Sequence, residues 1–468
     1  MVAATIGGVN EMTRRRLVLA VCCTSIFLVG LDTTAVNVAL PAIGRDLRLG
    51  LPELEWAVDA YTLVLAGLLI GSGALADRIG RRRVFRLGLI LFGLGSVGCA
   101  LAPGLGALIA ARVVQGVGAS MLSPVALAIV VSVITDPRER ARAIGVWAAV
   151  FGLSMAAGPV LGGALVTGLG WRPIFWANLP IIVAVLAYPL PESRSPRPRR
   201  LDLPGQALLI VLTSTVVAVL IEGPRAGWWS GFAMAAYAMI PAAAATLARV
   251  ESRRAEPLLD LSLFRRPPFA AAVGGAVVVF VALNVTLLLG TLYLQRARGL
   301  SPIEAGLVTL PMAVAATICA PLSGRLVGRV GPGLPLRLAG AGILLSGVLL
   351  AGVDRDTGLP VLLVAYLCAG IGIGFANAPI TNTAVSGLPP ERSGVAGGIA
   401  STARQVGAAL GIAVAGGLAG SPRAGWALVA GCGVLILLLS AIRPGSGARP
   451  ARTVASSAPR PSVAGPMR

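Results

Sequence analysis

Apolar residues run in long blocks along this chain, and short polar gaps interrupt them at fairly regular intervals. Each block is long enough to cross a bilayer core, which takes about 20 helical residues. The pattern predicts fourteen helices: 17–40, 54–76, 84–102, 105–134, 143–168, 173–190, 204–221, 228–249, 270–294, 302–324, 334–352, 359–380, 393–419 and 424–442. The expected fold class is therefore an all-α, polytopic membrane protein.

Charge gives the bundle an orientation. Arg14, Arg15 and Arg16 precede the first block, and every second gap is rich in arginine. These gaps hold Arg78, Arg81, Arg82 and Arg83; Arg138, Arg140 and Arg142; Arg194, Arg197, Arg199 and Arg200; Arg253, Arg254, Arg265 and Arg266; and Arg325 and Arg329. The alternate gaps are short and carry few, such as Arg172, Arg225 and Arg423. Basic residues stay on the cytoplasmic side of membrane helices, so fourteen spans place both termini in the cytoplasm. The first block lacks a small-residue cleavage pattern and reads as a retained span. The Pro/Ser/Arg/Gly-rich stretch 444–468 reads as a disordered tail.

Composition narrows the function. The 468 residues are 56% hydrophobic and 12% charged, against about 25% charged in soluble proteins. A net charge of +20 could suggest nucleic acid, but the clustering of arginine between apolar blocks is topogenic. Histidine is absent, which excludes imidazole catalysis and histidine metal ligation. Lysine is absent too, which excludes a Walker A ATP site and Schiff-base chemistry. The six cysteines lie in apolar blocks without metal-site spacing. Asp354 and Asp356 form the one DxD, in a short gap, which is thin support for a membrane-embedded enzyme. No stretch between blocks could house the soluble domain that a sensor or scaffold would bring.

An internal repeat links two gaps. GALADRIG (73–80) and GRLVGRVG (324–331) share the frame G-x-L-x-x-R-x-G. Each follows an even-numbered helix. This suggests two homologous six-helix halves, 1–190 and 269–443, flanking an extra helix pair and its loops at 191–268. Duplicated bundles of this kind are a recurrent transporter plan, with the substrate site between the halves.

Four further motifs carry a family resemblance. GALADRIGRRRVFRL (73–87) resembles the helix 2–3 signature of the major facilitator superfamily. LIAARVVQGVGAS (108–120) is similar to its helix-4 signature, and SMAAGPVLGG (154–163) to its helix-5 antiporter signature. LDTTAVNVALP (31–41) matches the helix-1 element of its fourteen-span drug/proton antiporters. Ser154 stands where the antiporter motif usually begins with glycine, and Gly328 where the second-half loop often keeps an acid. The resemblance implies a secondary transporter that exports amphiphilic drug-like or natural-product compounds in exchange for protons by alternating access. It needs no cofactor or ATP, and is expected to be a monomer in the cell membrane. An importer of another small metabolite is the alternative within transporters.

The residues themselves suggest roles. After helix 2, Gly73 and Gly80 would permit close approach and a tight turn. Asp77, with Arg78, Arg81 and Arg82, would form a conformational latch. In helix 5, Ser154, Gly158 and Gly162 lie at i, i+4 and i+8, a small-residue stripe for close helix packing. Pro159 permits bending there, and Gly163 extends the stripe; the antiporter resemblance implies that it seals the halves against leak.

Asp32 and Arg112 are charges at membrane depth, where such residues are expensive and usually face a partner or cavity. Counted from the predicted helix ends, Asp32 lies about 12 Å and Arg112 about 10 Å deep. Asp59, at about 7 Å, is expected to join them in one proton-coupling cluster. A mixed polar and aromatic substrate cavity is expected around Asn37, Tyr61, Gln115, Trp147, Phe280, Asn284, Phe375, Asn377, Arg404 and Gln405.

Overall fold

The computed structural model describes residues 11–195, 201–254, 257–388 and 390–441. The stretch 444–468 expected to be a disordered tail lies outside the described residues. Fifteen α-helices and no strands occur among them: α1 (Glu11–Leu47), α2 (Leu51–Ile79), α3 (Arg81–Leu101), α4 (Leu105–Val133), α5 (Pro137–Leu169), α6 (Pro173–Trp176), α7 (Asn178–Ala187), α8 (Leu203–Ala226), α9 (Gly231–Ser252), α10 (Pro267–Leu292), α11 (Pro302–Val330), α12 (Gly333–Ala351), α13 (Leu359–Val385), α14 (Pro390–Gly417) and α15 (Pro422–Leu439). Among the described residues, twelve candidate spans are long and apolar enough to cross a membrane. The remaining two of the fourteen expected segments fall on the α6–α7 pair and on α14.

Two boundaries differ from the sequence expectation for physical reasons. At 37 residues, α1 is about 55 Å long at 1.5 Å per residue, so it runs well beyond a core of about 30 Å. Hydropathy marks only its apolar centre. The segment expected at 173–190 is instead two helices broken at Ala177. Pro180, two residues into α7, has no amide hydrogen to continue the ladder back to Trp176.

Helix starts follow local chemistry. Ser301 and Glu304 form a reciprocal capping box at the start of α11, with Glu304 Oε2 accepting from the Ser301 amide at 2.8 Å. The Asp202 side chain accepts from the Gly205 amide at 2.8 Å and opens α8.

In the first bundle α1 packs on α5, α2 on α4, and α3 on α4, with α6 and α7 laid against α3. In the second, α10 packs on α14, α11 on α13, and α12 on both α13 and α15. The bundles meet through α5–α11 and α2–α14, and α8 lies against both α2 and α14 with α9 on its other side. The helix ends around the α2–α3 and α11–α12 turns carry Arg78, Arg81, Arg82, Arg83, Arg325 and Arg329 and mark an arginine-rich face. The α1–α2 turn lies at the opposite, far face. Contacts between the bundles include Gly398 of α14 beside Ile70 of α2 and the Thr402 hydroxyl, which points at the Ala66 carbonyl at 3.5 Å. They continue to the far face, where the Ile303 amide donates to Thr167 Oγ1 at 3.3 Å. A single π-helical turn, Tyr293–Ala297, follows α10 and delivers the Gln295 amide to the Val38 carbonyl of α1 at 2.9 Å.

Candidate functional site

The first bundle closes on a buried ion pair. Arg112 Nη1 on α4 lies 2.6 Å from Asp32 Oδ2 on α1, and both side chains are at most 1% exposed. Four more residues hold the pair. Arg112 Nε donates to the Ala57 carbonyl of α2 at 3.1 Å. The Tyr61 ring, one turn along the same face of α2, lies 4.3 Å from the guanidinium carbon, a favourable cation–π position. One turn on from Arg112, the Gln115 amide donates to Asp32 Oδ1 at 2.8 Å and to Ser96 Oγ of α3 at 3.1 Å, while its carbonyl accepts from Arg112 Nη1 at 2.8 Å. Asn178, the first residue of α7, donates to Asp32 Oδ1 at 3.4 Å and to Ser96 at 3.2 Å. The break between α6 and α7 is what sets Asn178 at this depth. Arg112 Nη2 and the Tyr61 hydroxyl have no hydrogen-bond partner among the described residues.

Asp59 is not part of this cluster. Two residues along a helix are a rotation of roughly 200°, so Asp59 sits on the side of α2 opposite Ala57 and Tyr61. Depth along the membrane was right for it and azimuth was wrong. It faces α14 with Glu55, and neither of its carboxyl oxygens finds a hydrogen-bond partner among the described residues.

The cavity expectation divides. Tyr61 and Gln115 belong to the ion pair, because they share the α2 and α4 faces that enclose it. Asn37 lies at the junction of the bundles, beside Thr34, Pro159, Leu287 and Thr309 in a small cleft. Asn284 is tied to the Phe280 carbonyl at 2.9 Å and packs on Gly411 of α14. It holds α10 to α14, with Phe280 buried in the same core. Arg404 donates to Ser401 at 2.7 Å and Thr381 at 3.3 Å. Phe375, Asn377, Gln405 and Trp147 are partly exposed. A separate cavity of about 340 Å³ opens among α10, α12, α13 and α15, near Arg337 and Thr383, and contains none of the expected residues.

The helix-5 stripe makes two close contacts. A side chain at Gly158 would clash with Thr34, and one at Gly162 would lie 2.9 Å from Ala35 Cβ, so these glycines seat α5 on α1. Ser154 is fully buried on the same stripe. Gly163 abuts Pro302 and Ile303 of the second bundle, and the Pro159 carbonyl lies against Gly306 of α11. One helix thus presents small residues to a neighbour in each bundle.

At the arginine-rich face, Asp77 pairs with Arg81 at 3.0 Å, and Arg81 Nη1 also donates to the Ala128 carbonyl of α4 at 3.3 Å. The Arg82 amide donates to Glu192 Oε1 at 3.1 Å, and its guanidinium to the Leu190 carbonyl at 3.3 Å. Gly80 has φ +114°, the left-handed region that favours glycine. Around Gly73, by contrast, an added Cβ would meet nothing within 4 Å, so no close approach occurs there. Arg78 is exposed. These bonds tie the α2–α3 turn to α4 and to the segment after α7. Glu192, Ser96 and Asn178 were not anticipated; the last two are polar residues inside apolar blocks, which was the available signal.

A bundle of membrane-length helices in two groups, the first of them closed on a buried ion pair, defines a multi-pass membrane protein of the transporter class. The chain belongs to the Major Facilitator Superfamily, whose family model matches residues 22–412. It is 40% identical over 394 residues to the multidrug resistance protein Stp of Mycobacterium tuberculosis, covering 84% of this chain and 73% of that one. It is 38% identical over 404 residues to the methylenomycin A resistance protein of Streptomyces coelicolor, covering 84% and 83%. A crystal structure of a POT family transporter in complex with 5-aminolevulinic acid shares the fold, with TM-score 0.61 at 14% identity over 90% of this chain and 94% of that one.

Proposed function

We propose that the chain exports amphiphilic drug-like or natural-product compounds across the cell membrane in exchange for protons, by alternating access of the cleft between its bundles. The single observation that carries this reading is the fully buried Asp32–Arg112 pair. A buried ion pair is a poor way to stabilise a bundle, because desolvation offsets much of its attraction. Its value lies in switching. Arginine keeps its proton at any working pH, so Asp32 is the member that exchanges one. A movement that draws Asp32 from Arg112, Gln115 and Asn178 removes the groups that hold it as a carboxylate and lets it take up a proton.

The drug-resistance roles of the two relatives support the outward direction and the substrate class. Inward proton movement supplies about 2.3 kcal/mol per 100 mV, and no cofactor enters. Fourteen spans, cytoplasmic termini and a monomer complete the reading, with the arginine-rich face toward the cytoplasm. In it, the Asp77–Arg81–Ala128 contacts brace the cytoplasmic end, and the Gly163–Pro302 contact closes the far end. Everted vesicles carrying the protein test it: adding a compound from a cationic-dye and antibiotic panel releases protons from the lumen. A panel without any such release, from a protein shown to be inserted and folded, would overturn antiport for those compounds.

A further inference from the structure

Asp59 and Glu55 occupy a place that the ion pair does not explain. Glu55 is 2% exposed and Asp59 0% exposed, one helical turn apart on the face of α2 that meets α14. Glu55 Oε2 and both oxygens of Asp59 lack hydrogen-bond partners among the described residues. Glu55 Oε1 occupies the space that a side chain on Gly416 of α14 would need. Below it, Leu63 packs with Ala409 and Ala413 of α14 and with Val217 and Ile221 of α8, an apolar three-helix junction.

The surrounding charges do not offset two carboxylates. On α2, Glu53 binds Arg225 of α8 at 2.7 Å, which occupies that guanidinium. Glu222 of α8 accepts from Trp56 Nε1 at 2.9 Å and adds a third acid at the mouth. On α14, Arg404 is 12 residues from Gly416, about 18 Å along the helix. Arg112 of α4 lies on the opposite side of α2 and is paired with Asp32 of α1. Carboxylates without donors or cations cannot rest in such a junction, whereas neutral carboxyl groups can.

We infer that Glu55 and Asp59 form a second proton-binding site, separate from Asp32, which must be filled before α2 can close on α14 at the far face, with Glu222 of the inserted helix α8 at its mouth. The site works as an interlock. With the far face open, water solvates both groups as carboxylates. Proton uptake from the far-side solution neutralises them, and the junction then seals around Gly416. Closure therefore consumes protons, and by linkage a lower pH favours the closed state. This inference rests on the alternating-access reading above and adds to it a point where proton uptake gates one conformational step.

The test uses the full chain in lipid nanodiscs, with spin labels on Leu169→Cys and Arg355→Cys, exposed positions on the two bundles; the native cysteines are buried or half-buried. In the otherwise unchanged protein, the short-distance, closed population rises as pH falls. In the Glu55→Gln/Asp59→Asn variant it stays flat with pH, and the infrared carbonyl band of protonated carboxyl groups loses intensity at low pH. Asp32→Asn keeps the pH response of closure while losing drug-driven proton release. Glu222→Gln slows proton uptake several-fold after a pH jump. A pH response that survives in the double variant, or one that vanishes in Asp32→Asn, overturns the interlock while leaving antiport standing. An unchanged uptake rate in Glu222→Gln removes α8 from the mouth. The isosteric single variants Glu55→Gln and Asp59→Asn serve if the double variant misfolds, each halving the band loss.

Discussion

Asp32→Ala leaves Arg112 charged, buried and without its counter-ion. Breaking one side of a buried pair costs about 3–5 kcal/mol, and this site has little water to relieve it, since both side chains are at most 1% exposed. Asp32→Asn costs less. Its amide oxygen can still accept from Arg112 Nη1, and a hydrogen bond to a charged group is worth about 1.5–3 kcal/mol. The difference leaves about 2 kcal/mol for the asparagine variant. Removing both charges, in Asp32→Asn/Arg112→Gln, relieves the stranded guanidinium and returns most of that loss. Equilibrium unfolding in mixed detergent micelles measures all three, and proton release from everted vesicles measures function in parallel. The expected order of stability is native, then the double variant, then Asp32→Asn, then Asp32→Ala, with drug-driven proton release absent from all three variants. A double variant no more stable than Asp32→Asn would refute the stranded-charge argument. Proton release that persists in Asp32→Asn would refute the assignment of the exchanging group.

Other expectations follow from single contacts. Gly158→Leu forces α5 off Thr34 of α1 and costs about 1–3 kcal/mol by overpacking, read as earlier aggregation in size-exclusion thermal scans. Gly80→Ala must hold a side chain at φ +114°, costing about 1–3 kcal/mol and loosening the Arg82–Glu192 contacts, seen as faster proteolysis at the α2–α3 turn. Asp46→Asn removes the exposed pair with Arg172; such pairs are worth about 0–1 kcal/mol, so stability and export change little. Gln295→Leu deletes the bond from the π turn to Val38 and shifts the spin-label distances at the far face toward open.

The sequence carried depth well and direction poorly. Asp32 and Arg112 were legible because a charge inside an apolar block has few places to go, and counting residues gave both a similar depth. Asp59 failed the same test because depth does not say which side of α2 it occupies. The partners on α3 and α7 depend on helix packing: nothing local to Asn178 says that it will reach a carboxylate 146 positions away, or that Ser96 will hold both it and Gln115. Gly158 and Gly162 were legible as a stripe, since spacing alone fixes a shared face, but their neighbours were not. Gly73 looked equivalent to Gly80 in its motif, yet only Gly80 has the backbone angle that calls for glycine. The helix-six break was written in Pro180, whose effect on Asn178 appears only once α7 is placed.

Every group that grips the Asp32–Arg112 pair comes from α1, α2, α3, α4 or α7, all on one side of the cleft. A swing of one bundle against the other, with each kept rigid, would leave those distances unaltered. The proposed proton exchange at this pair would consequently demand a strain internal to the first bundle, a sliding of α1 past α4 by about 1–2 Å. Under that proposal the protein would have two mechanical coordinates, a hinge between bundles and a shear within one, and the exchange ratio would depend on how tightly the second is slaved to the first.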